Sequence, residues 1–375
     1  MAALLDNIDP DGLEEFSVVF TDRSLNHMSG AFQAVMRDIH EMLCEVYGAE
    51  GAVIVPGGGT FGMEAVARQF ARDRKVLVVR NGWFSYRWSQ IIESGDLTAE
   101  ATVMKARQTG NSSTSPFAPA PIDEVVAEIK TRKPDVVFAP HVETSAGVIL
   151  PDDYIQQMAA AAHEVGALTV LDCIASGCVW VDMRALGVDV LISAPQKGWS
   201  ASPCAGLVML SAKALARLEE TTSDSFAADL KKWRQIMQAY LDGGHAYHAT
   251  MPTDALRDFR DTMLETRAYG FDKLRDAQWA LGRAVREMMA QKGLQSVAAD
   301  GFGAPGVVVS YTSDPDVQNG KKFAAQGMQI AAGVPLACDE PADFRTFRIG
   351  LFGLDKLYDV DGTVARLRKT VDKVL

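Results

Sequence analysis

Short β-branched and aliphatic runs alternate along the chain with longer stretches whose apolar residues recur every three or four positions. The first periodic stretch, 31–47, sets Phe32, Val35, Met36, Ile39, Leu43 and Val46 at helical spacing, and Gly48 closes it. Six compact apolar runs follow: AVIVP (52–56), KVLVVR (75–80), DVVFAP (135–140), ALTVLD (167–172), DVLISA (189–194) and AGLVMLS (205–211). Between them lie helical patterns at 60–72, through YRWSQIIESG, at 122–130 and at 152–165. Buried strands alternating with helices predict an α/β fold, a mostly parallel sheet covered on both faces. The polar, Pro-rich segment 110–121 reads as a surface loop. Past Pro252 the texture changes to one long helical stretch ending near Gly293, then the strands GVVVSYT and TFRIGLFG and a final helix. The expected division is 1–252, an N-terminal segment and large domain, and 253–375, a smaller α+β domain.

Composition narrows the function classes. A chain of 375 residues can bury more than one core. The formal charge of −11 opposes general attraction to nucleic acid or an anionic membrane surface. No apolar run approaches the roughly 18 residues of a membrane span, and the start MAALLDNIDPDGLEEF is acidic, so a cytoplasmic protein is expected. Cys44, Cys173, Cys178, Cys204 and Cys338 show no C-x-x-C pairing and read as buried reduced thiols. The six histidines lack metal-ligand spacing, so no metal is expected.

In an open α/β sheet ligands gather at the carboxyl ends of the strands. Here those ends deliver Asp172, Lys197, the group His141, Glu143, Thr144 and Ser145, and the group Asn81, Gly82 and Phe84. A lysine desolvated beside Gly198 would hold a free amine able to form an imine with an aldehyde. A carboxylate at a neighbouring strand end can face a pyridinium nitrogen. The string VPGGGTFG (55–62) contains G-x-G-x-x-G ahead of a helical pattern, a turn that offers N–H groups and a helix dipole to a phosphate. A dinucleotide site would want an acid ending the next strand, whereas KVLVVRN ends in Arg80 and Asn81. A base there could meet a 2′-phosphate, so an NADP-dependent oxidoreductase stays an alternative. Singly, each feature also has a bland reading: a tight turn, a capping aspartate, an exposed lysine.

Together these residues resemble the class V, fold-type I pyridoxal-phosphate aminotransferases of the alanine–glyoxylate and serine–pyruvate type. The likeness runs from about residue 31 to 351. It is carried by HVETSAG (141–147), DCIAS (172–176), SAPQK (193–197), YHATMP (247–252) and RIGLFG (348–353). The resemblance implies a mostly parallel seven-stranded sheet, a smaller C-terminal α+β domain and pyridoxal 5′-phosphate as cofactor. Lys197 would form the Schiff base and act as general base, with Asp172 paired to the pyridine nitrogen. Gly58, Gly59, Thr60 and Gln196 would hold the phosphate, Phe84 and Ile174 the two ring faces, and Ser145 the ring-hydroxyl side. Arg348 would grip the substrate α-carboxylate. Tyr247 and Thr250 lie where relatives approach the subunit boundary, which implies a homodimer with sites at its interface.

Two places depart from the family pattern. The early G-P element is missing, leaving Asn26 and His27 at the substrate entrance, and Arg257 stands roughly where relatives carry a phosphate-binding tyrosine. Arg257 could contact the phosphate, favour an acidic donor, or simply face solvent. The expected reaction moves an amino group from a small amino acid to a 2-oxo acid such as glyoxylate or pyruvate. A lyase or desulfurase on the same fold is the alternative, weakened because Gln196, not histidine, precedes Lys197 and no cysteine sits in an evident flexible loop.

Overall fold

The computed structural model describes residues 4–375, and its largest unit is a seven-stranded sheet. In chain order its strands are β1 (Gly51–Pro56), β2 (Val76–Arg80), β3 (Ala101–Lys105), β4 (Val136–Pro140), β5 (Leu168–Asp172), β6 (Val190–Ser193) and β7 (Ala205–Leu210). Their spatial order is β1-β7-β6-β5-β4-β2-β3. Strand β7 runs antiparallel to both neighbours, and every other pairing is parallel. Burial explains the sequence signal: every residue of β2, β4, β5, β6 and β7 is buried, as strands covered on both faces require.

This topology corrects the dinucleotide alternative. The glycine turn follows β1, which sits at the sheet edge with an antiparallel neighbour, whereas a dinucleotide-binding turn leaves a central parallel strand. The strand β3 has no counterpart among the six predicted runs, because it is an edge strand in which Ala101 is exposed and none of the other four residues is fully buried.

Helix α1 (Gly30–Tyr47) starts on the Ser29 hydroxyl, which accepts from the Phe32 amide, and stops at Gly48 in the left-handed region, φ 63°. Its buried face, Phe32, Val35, Met36, Ile39 and Leu43, belongs to the core around the large sheet. Helices α2 (Gly59–Phe70) and α3 (Trp83–Ser94) leave the ends of β1 and β2.

The expected long helix after Pro252 is two helices, Thr253–Tyr269 and Phe271–Gln291, broken at Gly270 with φ 111°. Leu256, Phe259 and Met263 of the first pack into the large core, while Leu274, Leu281, Val285 and Met288 of the second build a separate core with Val308, Phe347 and Ile349. The second core lines a sheet of β8 (Val307–Tyr311), β9 (Ala331–Ala332) and β10 (Thr346–Gly350), ordered β8-β10-β9. The predicted loop 110–121 contains a short hairpin strand, Phe117–Ala118, whose Phe117 is buried and whose amide donates to the Val297 carbonyl at 2.7 Å. Among the described residues no helix is long and apolar enough to cross a membrane.

Candidate active site

Parallel pairing brings the carboxyl ends of β2, β4, β5 and β6 to one edge of the sheet, with Pro140 opposite Asp172 and Asp172 opposite Ile192. Asp172 closes β5 and is buried; its Oδ1 accepts the Ile174 amide at 2.9 Å. Burial pushes its carboxyl up to about 7, and the charge of Glu143 pushes the same way, against the Ile174 amide, Arg87 and Lys197. Lys197 follows β6 in a tight passage. A methyl group at Gly198 would stand 2.1 Å from the Gly177 carbonyl oxygen, so only glycine lets the two segments pass. Desolvation pulls the Lys197 amine below its ordinary value, and the Arg348 cation adds to this while Asp172 opposes it. Its Nζ lies 5.1 Å from the centre of the Phe352 ring.

The turn before α2 meets Asp172's neighbour directly: a Cβ at Gly59 would lie 2.5 Å from Ile174 Cδ1. Within the first turn of α2, the amides of Phe61 and Gly62 bond to the Gly58 carbonyl at 2.9 and 3.3 Å, while those of Gly59 and Thr60 have no partner among the described residues and are open to a ligand. The Thr60 hydroxyl accepts from Arg87 Nη1 at 2.9 Å. Arg87 and Arg348 both lie by the Phe84 ring, their guanidinium carbons 5.3 and 5.5 Å from its centroid. Arg348 is held on β10 by donation from Nε to the Ala332 carbonyl at 2.8 Å, and burial depresses its guanidinium while Glu143 counters. The Gln196 Oε1 is buried and has no hydrogen-bond partner among the described residues.

Beneath this layer, Glu143 is fully buried and gathers three amides and two hydroxyls. Its Oε1 accepts from Phe84 N (3.2 Å), Ser145 N (3.1 Å) and Ser145 Oγ (2.7 Å); its Oε2 accepts from Ser85 N (2.8 Å) and Ser85 Oγ (2.7 Å). Ser145 Oγ in turn accepts the Trp83 amide at 2.9 Å. A carboxylate thus caps the positive end of α3 from below and fixes Phe84 and Ser145 above it. His141, also buried, contacts Ser176 Oγ through Nδ1 at 2.7 Å, and burial drives its ring down to about 4, so it stays neutral at physiological pH.

Gly59, Thr60, Phe84, Ser145, Asp172, Ile174, Lys197 and Arg348 are therefore tied into one region by contact or by charge. Four expected residues have their contacts elsewhere in the single chain. Tyr247 is 55% exposed, its hydroxyl 3.1 Å from Thr250 Oγ1. Arg257 pairs with Asp254 and Asp258 of its own helix at 3.7 and 3.6 Å. Asn26 Nδ2 donates to Glu15 at 2.6 Å. Arg87 and Phe352 were not picked out from sequence, although Arg87 stands one helical turn after Phe84 and Phe352 lies inside the RIGLFG string. All five thiols are unpaired, and burial raises each: Cys44 and Cys204 to about 11, Cys178 and Cys338 to about 12, and Cys173 well up. None is poised as the thiolate a desulfurase needs.

The family model Aminotransferase class-V matches residues 14–291. The chain is 28% identical to a 2-aminoethylphosphonate–pyruvate transaminase of Paraburkholderia phymatum, over 93% of this chain and 89% of that one. It is 25% identical to alanine–glyoxylate aminotransferase 1 of Saccharomyces cerevisiae, over 83% and 82%. Its fold matches the crystal structure of an alanine–glyoxylate aminotransferase from Nostoc sp. with a TM-score of 0.78 at 20% identity, over 93% of this chain and 88% of that one.

Proposed function

The chain belongs to the class-V aminotransferases, and from that premise we propose how its residues divide the work of moving an amino group from a small primary amine to a 2-oxo acid. It is a transaminase that takes pyridoxal 5′-phosphate, which when bound supplies an aldehyde to carry the amino group and a ring to accept electrons. The region fits that group. The free amides of α2 and the orphaned Gln196 Oε1 suit a phosphate, and Phe84 and Ile174 offer apolar contact to the ring.

In this reading Gly58, Gly59, Thr60 and Gln196 hold the phosphate and Ser145 the ring-hydroxyl side. Asp172 faces the ring nitrogen, where a cation would draw its carboxyl back toward ionisation and be stabilised in return. Lys197 Nζ, its proton affinity lowered by desolvation, would hold the aldehyde carbon of the bound group and, once released from it, would accept the proton from the substrate Cα. Arg348 orients the substrate carboxylate, or a phosphonate in its place, with a planar pair of donors. Asn26 stands at the substrate entrance. Pyruvate and glyoxylate, the acceptors named for the relatives, are the acceptors we assign. We assign the enzyme to the cytoplasm, whose reducing conditions suit its five unpaired thiols. Tyr247 and Thr250 serve the neighbouring copy of a homodimer.

The carrying observation is the buried carboxyl of Asp172 and the desolvated amine of Lys197 at adjacent strand ends, each shifting the other's titration. Borohydride reduction of the holoenzyme should bleach its yellow colour and leave the cofactor mass on the peptide containing Lys197. Lys197→Ala should show neither. Colour and a reducible adduct persisting in that variant would remove the lysine from its role. Release of ammonia or sulfide without any oxo acid would replace the transaminase reading with the lyase.

A further inference from the structure

We propose that Arg87 is the cationic ligand of the cofactor phosphate, closing the cradle begun by the first turn of α2. The inference rests on the placement of that phosphate at Gly59 and Thr60 given above. The cradle supplies N–H groups and a hydroxyl, but no residue of its first turn is charged. A helix end contributes only about half a charge, against about −1.5 to −2 on a phosphate monoester at neutral pH. Some other element has to bring the remaining positive charge.

Arg87 comes from α3 and reaches Thr60 Oγ1 at 2.9 Å, its sole hydrogen-bond partner among the described residues, and no carboxylate neutralises it there. Its guanidinium rests beside Phe84, so it spans the ring-stacking residue and the phosphate turn. The same cation acts on both Asp172 and Lys197, which places its charge within reach of the site. Arg257, the arginine that the sequence offered for the phosphate, is already engaged by Asp254 and Asp258. A fork of N–H donors that holds a hydroxyl can turn one edge to a phosphate oxygen while the hydroxyl donates to another.

The test compares pyridoxal 5′-phosphate with pyridoxal, which lacks the phosphate, by absorbance titration of protein stripped of cofactor. Wild-type protein that does not prefer the phosphorylated form would overturn the phosphate site itself, separately from the role of Arg87. With that preference present, Arg87→Gln should weaken pyridoxal 5′-phosphate by about tenfold to a hundredfold and leave pyridoxal within about twofold. Arg87→Lys should recover much of the loss. Arg87→Met, which keeps the aliphatic contact with Phe84, should recover none. Arg257→Gln should change neither affinity. Equal weakening of both ligands in Arg87→Gln and Arg87→Met, or recovery by methionine, would make Arg87 a packing residue. Unchanged cofactor affinity with a raised KM for the amino donor would assign it to the substrate instead.

Discussion

A single carboxyl shows how burial is turned to use. In the protein without cofactor, Asp172 titrates near 7, whereas in an unfolded chain it titrates near 3.8. Between those values the folded state holds a proton that the unfolded state has released. Stability therefore falls as pH rises through that window, by up to about 1.4 kcal/mol per pH unit. Asp172→Asn has no proton to lose. The stability difference between apo wild type and apo Asp172→Asn, from urea unfolding at pH 5 and pH 8, should accordingly grow in favour of the variant at the higher pH. Saturating wild type with cofactor should flatten the trend, because a cationic ring nitrogen lowers the carboxyl again. Parallel pH curves for the two apo proteins would refute the buried, protonated state. Asp172 and Lys197 drew notice in sequence because Asp172 ends one apolar strand and Lys197 lies shortly past the end of another, Ser193, and strand ends are where a parallel sheet collects its chemistry. Arg87 was not, since its partner Thr60 lies 27 positions away and no periodicity links the two.

At the level of elements, the site depends on how α3 is held. Its first turn has no acidic residue of its own, and the missing negative charge arrives from Glu143, nearly sixty positions along the chain. Truncation by Glu143→Ala would strand three amides and the Ser145 hydroxyl in a dry interior, while the Ser85 hydroxyl keeps the Gly82 carbonyl at 3.0 Å as acceptor; the loss is expected to be about 3 kcal/mol or more. Glu143→Gln, which can still accept on one side, should lose less. Denaturant unfolding gives both values, and hydrogen exchange at Phe84 and Ser85 should rise in the same order. An alanine variant as stable as wild type would show that water satisfies those donors. Sequence patterning reached most elements and failed where the physics is nonlocal. Strand β3 was missed as a partly buried edge without a clean apolar run. The break at Gly270 was masked because the helical period continues on both sides of one glycine. The strand in 110–121 was hidden because its burial depends on Val297 and Ala298, far along the chain. The division at 252/253 stays our proposal; along these two helices packing passes from the large core to the second one between Phe271 and Leu274.

For the whole molecule, the proposed homodimer bears on a group of exposed apolar side chains. Leu13, Phe16 and Val18 are 89%, 85% and 102% exposed, and Phe226 and Tyr247 are 76% and 55% exposed. Leu13 and Phe16 border the same recess as Asn26 and Met28, so this apolar surface adjoins the proposed substrate entrance. Scattered single hydrophobics are ordinary, but a run of three within six residues calls for a cover. The second copy proposed above would provide one, and it would also give Tyr247 and Thr250 a neighbouring phosphate to meet. Two substitutions then separate assembly from binding. Phe16→Asp with Val18→Asp should shift the sedimentation of the holoenzyme from dimer toward monomer and weaken pyridoxal 5′-phosphate by about tenfold, one to two lost hydrogen bonds to a charged group. Thr250→Ala should leave the dimer intact and weaken the cofactor alone. If the doubly substituted protein sediments as a monomer with undiminished cofactor affinity, each site is built from one chain, and the exposure of Tyr247 needs another cause.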